Sequence, residues 1–224
     1  MSLEVIFTFF YVQTFLSALI AGFAFYNYRR RDRLMVLVGL LFTFSFLLNV
    51  AQLVAYKFGQ NVLMNRIGGL YDCVFLVMAG IMFDHATQKK FRTPIAIVTG
   101  FFLLLWVFNM LILQKTAVTS ITKLACDIIV VVYCVSFFYR LMVELPAVHL
   151  HRLTMFWVAS GFLLYAAGTI FLFAFTEYVI NQLADKFALL WTLNLTLFIL
   201  QQLFIVVAVI NDVKKLGESK AQIH

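Results

Sequence analysis

Seven hydrophobic blocks, each long enough to cross a bilayer and separated by short connections, take up almost all of the 224 residues. A spanning helix needs about 20 mostly apolar residues because the hydrocarbon core is about 30 Å thick. The blocks fall at roughly 4–27, 34–56, 67–84, 94–113, 120–139, 153–176 and 187–211. The sequence therefore predicts an all-α polytopic membrane protein, a bundle of seven transmembrane helices. One such domain covers 1–211, followed by a short basic tail at 212–224. The short alternating segments of a membrane β-barrel are absent. Hydrophobic residues make up 64% and charged residues 12%, against about half and a quarter in soluble domains. Both prolines, Pro94 and Pro146, sit at predicted span ends, where a missing N–H is tolerated.

The net charge of +7 is a topology signal rather than a nucleic-acid footprint, because positive charge in membrane proteins collects in cytoplasmic loops. Arg29, Arg30, Arg31 and Arg33 follow the first block. Lys89, Lys90, Arg92, Arg140, Arg152, Lys214, Lys215 and Lys220 lie on the same predicted side, making twelve. The other side has five: Lys57, Arg66, Lys115, Lys123 and Lys186. The N-terminus is expected outside and the C-terminus in the cytoplasm, in a multi-pass protein of the plasma (inner) membrane. The first block lacks a basic n-region and is too long for a signal peptide, so it reads as a retained helix. Cys73, Cys126 and Cys134 lie inside predicted spans without metal-ligand spacing and read as small buried hydrophobes.

Polar side chains inside spans are costly and mark the bundle interior or a water-filled cavity. The second block carries Ser45, Asn49, Gln52 and Tyr56 at i, i+4, i+7 and i+11, one helical stripe. The third places Tyr71 and Asp72 about a turn in from the outside, and the fifth places Asp127 at a similar depth. Tyr165 and Thr169 follow in the sixth, and Trp191 and Asn194, then Gln201 and Gln202, in the seventh. Gln13 and Ser17 lie in the first. This set concentrates in the outer half, which predicts an outward-facing pocket lined by Asn49, Gln52, Tyr71, Asp72, Asp127, Tyr165, Trp191 and Asn194. The plainer alternative is interhelical glue, with amide bonds worth about 0.6 kcal/mol each. Lys123 stands at i−4 from Asp127 and is expected to pair with it on the helix surface. Asp84 and Asp212 read as solvated interface charges. Gly68-Gly69 and Gly161 with Gly168 permit close helix contact. Phe pairs such as Phe101-Phe102 and Phe137-Phe138 read as lipid-facing or packing residues. Tyr26, Tyr28, Tyr139, Tyr178 and Trp191 fit interfacial belts.

Several functions are disfavoured. A retinal Schiff base needs a lysine midway along the last helix, and Lys186 lies at its edge. A Gly-x-Gly-Asp intramembrane protease motif and a Gly-x-Ser-x-Gly nucleophile are both missing. His85, His149 and His151 superficially match a three-histidine membrane hydrolase, but their spacing does not, nor does it match a zinc site. No cofactor is expected, and no enzymatic activity.

The stretch Phe156-Trp157, Gly161, Tyr165, Gly168, Phe171 through Phe173, Tyr178, Trp191 and Asn194, with a weaker echo at Leu70-Tyr71-Asp72, resembles small seven-helix membrane proteins of bacteria. It is also similar to the seven-helix sensor regions fused to some bacterial histidine kinases. The resemblance implies extracytoplasmic sensing. The expected function is thus a receptor-like protein in the lipid bilayer that binds an unknown small ligand and signals through a separate cytoplasmic or membrane partner. The alternatives are a small transporter, proton-coupled through Asp72 or Asp127 with Gln201, Gln202 and Tyr133 as its inner path, and a non-catalytic scaffold.

Overall fold

The structure, a computed structural model, describes residues 3–26, 31–87, 92–109, 120–144, 150, 153–174 and 187–221. They form seven helices: α1 (Leu3–Phe25), α2 (Arg33–Lys57), α3 (Asn61–Ala86), α4 (Arg92–Phe108), α5 (Ser120–Glu144), α6 (Thr154–Ala174) and α7 (Phe187–Ala221). No strand occurs among the described residues. Six helices are long and apolar enough to cross a membrane. α4 has 17 residues, about 25 Å at 1.5 Å per residue. The expected span positions 27, 110–113 and 175–176 lie outside the described residues, as do Arg29, Arg30, Lys89, Lys90, Lys115, Pro146, Arg152 and Lys186.

Helix boundaries follow local chemistry. After Lys57 the chain turns at Phe58-Gly59-Gln60. Gly59 has φ 69°, a conformation that costs a residue with Cβ but not glycine. Its N–H donates to Tyr56 O and that of Gln60 to Ala55 O, the paired bonds of a Schellman stop. α2 and α3 are thereby reversed within three residues. Pro94 lies in the first turn of α4, where its N–H would have no intrahelical acceptor.

The helices close into a ring in the order α1, α2, α3, α5, α6, α7 and back to α1, with α4 outside against α3 and α5. Tyr133 binds α4 to this ring: its hydroxyl donates to Ile95 O at 3.3 Å and meets Thr99 Oγ1 at 3.2 Å. Tyr133 thus serves the α4–α5 contact rather than an inner polar path. The core runs along the ring interior through Phe42, Phe75, Leu76, Phe83, Phe162 and Ile205. Phe101 is 63% exposed while its neighbour Phe102 is fully buried, which divides the Phe pair between the apolar outer surface and the core. Gly161 and Gly168 let α6 approach α7. A Cβ on Gly161 would meet Phe204 Cβ at 2.9 Å, and one on Gly168 would meet Leu197 Cδ1 at 2.7 Å.

α7 runs 35 residues, about 52 Å, well beyond the hydrocarbon thickness. The tail expected from residue 212 therefore begins as continuous helix. Asp212, expected to be solvated, is buried and paired with Arg31 at 2.5 Å. The same guanidinium donates to Tyr26 O at 3.2 Å and Phe23 O at 2.9 Å. It caps the last carbonyls of α1, which have no intrahelical partner, and ties them to α7. Close to this Arg31 end, Arg140 donates to Thr87 O at 2.9 Å. The opposite end of the bundle is marked by Gly59.

Candidate functional site

Toward the Gly59 end, α3, α5 and α6 bring charged groups together inside the ring. Lys123 is the fourth residue of α5, where a cation opposes the helix macrodipole. Its position is set by two carboxylates. Nζ lies 2.9 Å from Asp127 Oδ1, one turn along α5, and 3.4 Å from Asp72 Oδ1 on α3. Thr169 on α6 donates from Oγ1 to Asp127 Oδ2 at 2.7 Å. The Tyr165 ring lies under the ammonium at 4.7 Å, close enough for cation–π attraction, and Phe75 stands at 6.0 Å. Asp72 and Lys123 are each 6% exposed and Asp127 is 0% exposed.

The expected Lys123–Asp127 pair is present, but it is buried rather than on the helix surface. The reason is geometric. Asp72 projects from α3 toward the same face of α5, so an interior position gives Lys123 two partners where the surface offers one. At 1.5 Å per residue, Asp72 lies about 9 Å from Arg66 and Asp127 about 8 Å from Thr122, the residues at which the apolar stretches begin. An ionisable cluster at that depth is expensive unless paired. With all three groups ionised it carries one negative charge in excess.

An aromatic group closes the cluster on its α7 side. Phe198 packs edge-on against Tyr165 at 5.5 Å and Tyr71 at 5.9 Å. Tyr71 stacks on Phe75 at 5.9 Å. Cys126 Sγ donates to Asp72 O at 3.6 Å, so the α3–α5 contact is tight here.

The expected pocket residues divide. Asp72, Asp127 and Tyr165 converge on Lys123, and Tyr71 joins through the aromatic group. Asn49 belongs to a different junction, between α1, α2 and α7, where its Oδ1 accepts from Gln13 Nε2 at 3.4 Å. Gln52 faces Gly68 across the α2–α3 contact, its Nε2 3.1 Å from where a Cβ would stand. Trp191 is 37% exposed. Asn194 is half-buried, with an Oδ1 that no protein group reaches among the described residues. Tyr56 points outward against Phe7. Lys123, Thr169, Phe75 and Phe198 were not in the expected pocket. The available signal was spacing: Lys123 and Asp127 are i, i+4, and Tyr165 and Thr169 are also one turn apart. His85 is exposed near the Arg31 end, and His149, His151, Tyr28 and Tyr178 lie outside the described residues.

No family model, curated protein or solved structure matches this chain.

Proposed function

We propose that this chain is a receptor-like membrane protein in which a small, positively charged ligand is read by the Asp72–Lys123–Asp127 cluster. The observation that carries this reading is the pairing of two buried carboxylates with a single ammonium. Ionisable groups inside a membrane are functional by default because their burial is costly. A second cation would balance the excess charge, and Tyr71, Phe75 and Tyr165 supply aromatic faces suited to it.

The expected topology places the cluster in the extracytoplasmic half, in the plasma membrane, with the N-terminus outside and the C-terminus in the cytoplasm. Setting aside the two buried, ion-paired residues, Lys123 and Arg31, leaves four basic residues outside against eleven on the other side, so the positive-inside argument stands. A ligand that draws Asp72 from Lys123 loosens α3 from α5. Phe198 feels that change through Tyr71, and α7 carries it to the Arg31 end, where a cytoplasmic or membrane partner would engage.

The test is thermal stability of the purified protein in lipid nanodiscs against small amines, with neutral and acidic analogues as controls. A cationic compound should raise the melting temperature, and Asp72→Asn should abolish that shift while Lys123–Asp127 stays paired. No response to any amine, or an equal response in Asp72→Asn, overturns the reading and favours a scaffold held by the Asp72–Lys123 bridge. A reporter fused after residue 224 that is active only outside the cytoplasm would overturn the topology.

The second reading, a small proton-coupled transporter, is favoured by the polar junction of Gln13, Ser17, Ser45, Asn49 and Gln202 near mid-depth. Solute-driven pH change inside proteoliposomes, lost in Asp72→Asn, would select it.

A further inference from the structure

Five buried polar side chains meet where α1, α2 and α7 pack: Gln13, Ser17, Ser45, Asn49 and Gln202. Their hydrogen bonds can be assigned almost completely. Gln202 Nε2 donates to Gln13 O at 3.0 Å and to Ser17 Oγ at 2.7 Å, which uses both its hydrogens. Ser17 donates its single hydrogen to Gln13 O at 3.0 Å. At the 3.4 Å contact between the two serine oxygens, Ser45 must therefore be the donor. Ser17 Oγ then gives one bond and takes two, which saturates it.

Three atoms remain. Gln13 Oε1, Asn49 Nδ2 and Gln202 Oε1 are buried, and no protein group reaches them among the described residues. Exchanging O and N within both the Asn49 and Gln13 amides preserves their mutual bond and again leaves one donor and one acceptor. Gln202 cannot be exchanged, because its two partners already accept its hydrogens. Whatever the amide orientations, the junction offers two acceptors and one amide donor, with no charged side chain among its five members.

That combination selects the occupant. A bare cation would face an amide donor, and an anion would face two carbonyl oxygens. A molecule that both donates and accepts suits each of these atoms. Buried waters characteristically make about two to four such bonds to otherwise unpaired groups. We propose that the α1–α2–α7 junction is a binding site for water, a hydrated node in the middle of the bundle. α7 is fastened by Arg31–Asp212 at one end and by Phe198 toward the other. At mid-length it is held by the two direct Gln202 bonds, with water bridging the amide atoms that those bonds leave over. This inference is independent of any ligand at Asp72.

Water-edited solid-state NMR on the full chain in bilayers, labelled in Asn, Gln, Val and Ala, reads the site directly. The side-chain amides of Asn49 and Gln202 should gain magnetisation from water several-fold faster than the buried Val38 and Ala166. Asn49→Leu identifies the Asn49 signal and should slow the transfer to Gln202. Transfer to both amides in the unsubstituted protein no faster than to Val38 overturns the proposal. The unsubstituted measurement decides the question even if Asn49→Leu does not fold.

Discussion

Lys123 Nζ lies 2.9 Å from Asp127 Oδ1 and Asp127 is 0% exposed, so one turn of α5 holds a buried ion pair. Breaking a buried pair from one side leaves an uncompensated charge, at a cost of about 3–5 kcal/mol. Asp127→Leu removes the shorter contact but leaves Lys123 paired with Asp72 at 3.4 Å, so it should destabilise the bundle by less than that amount. Asp72→Asn should cost clearly less: its contact with Lys123 is longer, at 3.4 Å, and the Lys123–Asp127 pair survives it. Thr169→Val removes one hydrogen bond to a charged group, about 1.5–3 kcal/mol. Reversible unfolding in mixed lipid–detergent micelles gives all three values. An Asp72→Asn loss equal to that of Asp127→Leu would contradict the ranking.

Adjacent residues of α7 should respond with opposite signs. Gln202 gives both amide hydrogens to Gln13 O and Ser17 Oγ. Gln202→Leu removes both bonds, about 0.5–1.5 kcal/mol each, and should destabilise by about 1–3 kcal/mol. Gln201 points toward α6, is 1% exposed, and has neither Nε2 nor Oε1 paired with a protein group among the described residues. Gln201→Leu removes two unsatisfied polar atoms at similar volume and should stabilise by about 1 kcal/mol or more. The same unfolding measurement checks it, and a loss at Gln201 would show that its amide is satisfied in the membrane.

Much of this architecture is legible in the chain because hydrophobic block length is set by bilayer thickness and needs no tertiary information. The limits of α2, expected at 34–56 and found at Arg33–Lys57, show how far that goes. Depth was also readable: Asp72 and Asp127 were expected at similar levels, and Lys123 bridges them. Azimuth was not. Asn49 and Asp72 share the outward half in a linear reading, yet Asn49 turns toward Gln13 on α1 while Asp72 turns toward α5. The choice depends on the ring order, in which α4 is displaced and α3 meets α5 directly. Asp212 looked solvated for a related reason, since its partner Arg31 lies 181 positions away.

The two small positions of α6 should not tolerate alanine equally. A Cβ at Gly161 meets Phe204 Cβ at 2.9 Å and the Gln201 backbone oxygen at 3.1 Å, atoms that move only with α7 itself. A Cβ at Gly168 meets the methyls of Leu197, the mobile end of a side chain with other rotamers. Overpacking of a close-packed contact costs about 1–3 kcal/mol. Gly161→Ala should fall at the upper end of that range and Gly168→Ala at or below the lower. Unfolding of the two variants side by side decides it, and a reversed order would mean that α7 yields more readily than Leu197.

The Arg31–Asp212 pair makes the last prediction. Both side chains are buried, so Arg31→Met or Asp212→Leu alone should cost about 3–5 kcal/mol, while apolar replacement of both should recover most of the loss. The recovery should be incomplete, because Arg31 also serves Tyr26 O and Phe23 O. Hydrogen exchange should then quicken near the C-terminus of α1 even in the double variant. Asp72 stands 14 positions from Ala86 on α3, roughly 20 Å at 1.5 Å per residue, so the two ion clusters occupy opposite ends of the bundle. Distant independent sites add to within about 0.3–0.5 kcal/mol, whereas the receptor reading requires losses at Arg31 and Asp127 to depart from additivity by more than that. A double-mutant cycle of Arg31→Met and Asp127→Leu measures that coupling energy, and strict additivity would mean that α7 transmits no strain between the ends and would count against the receptor reading.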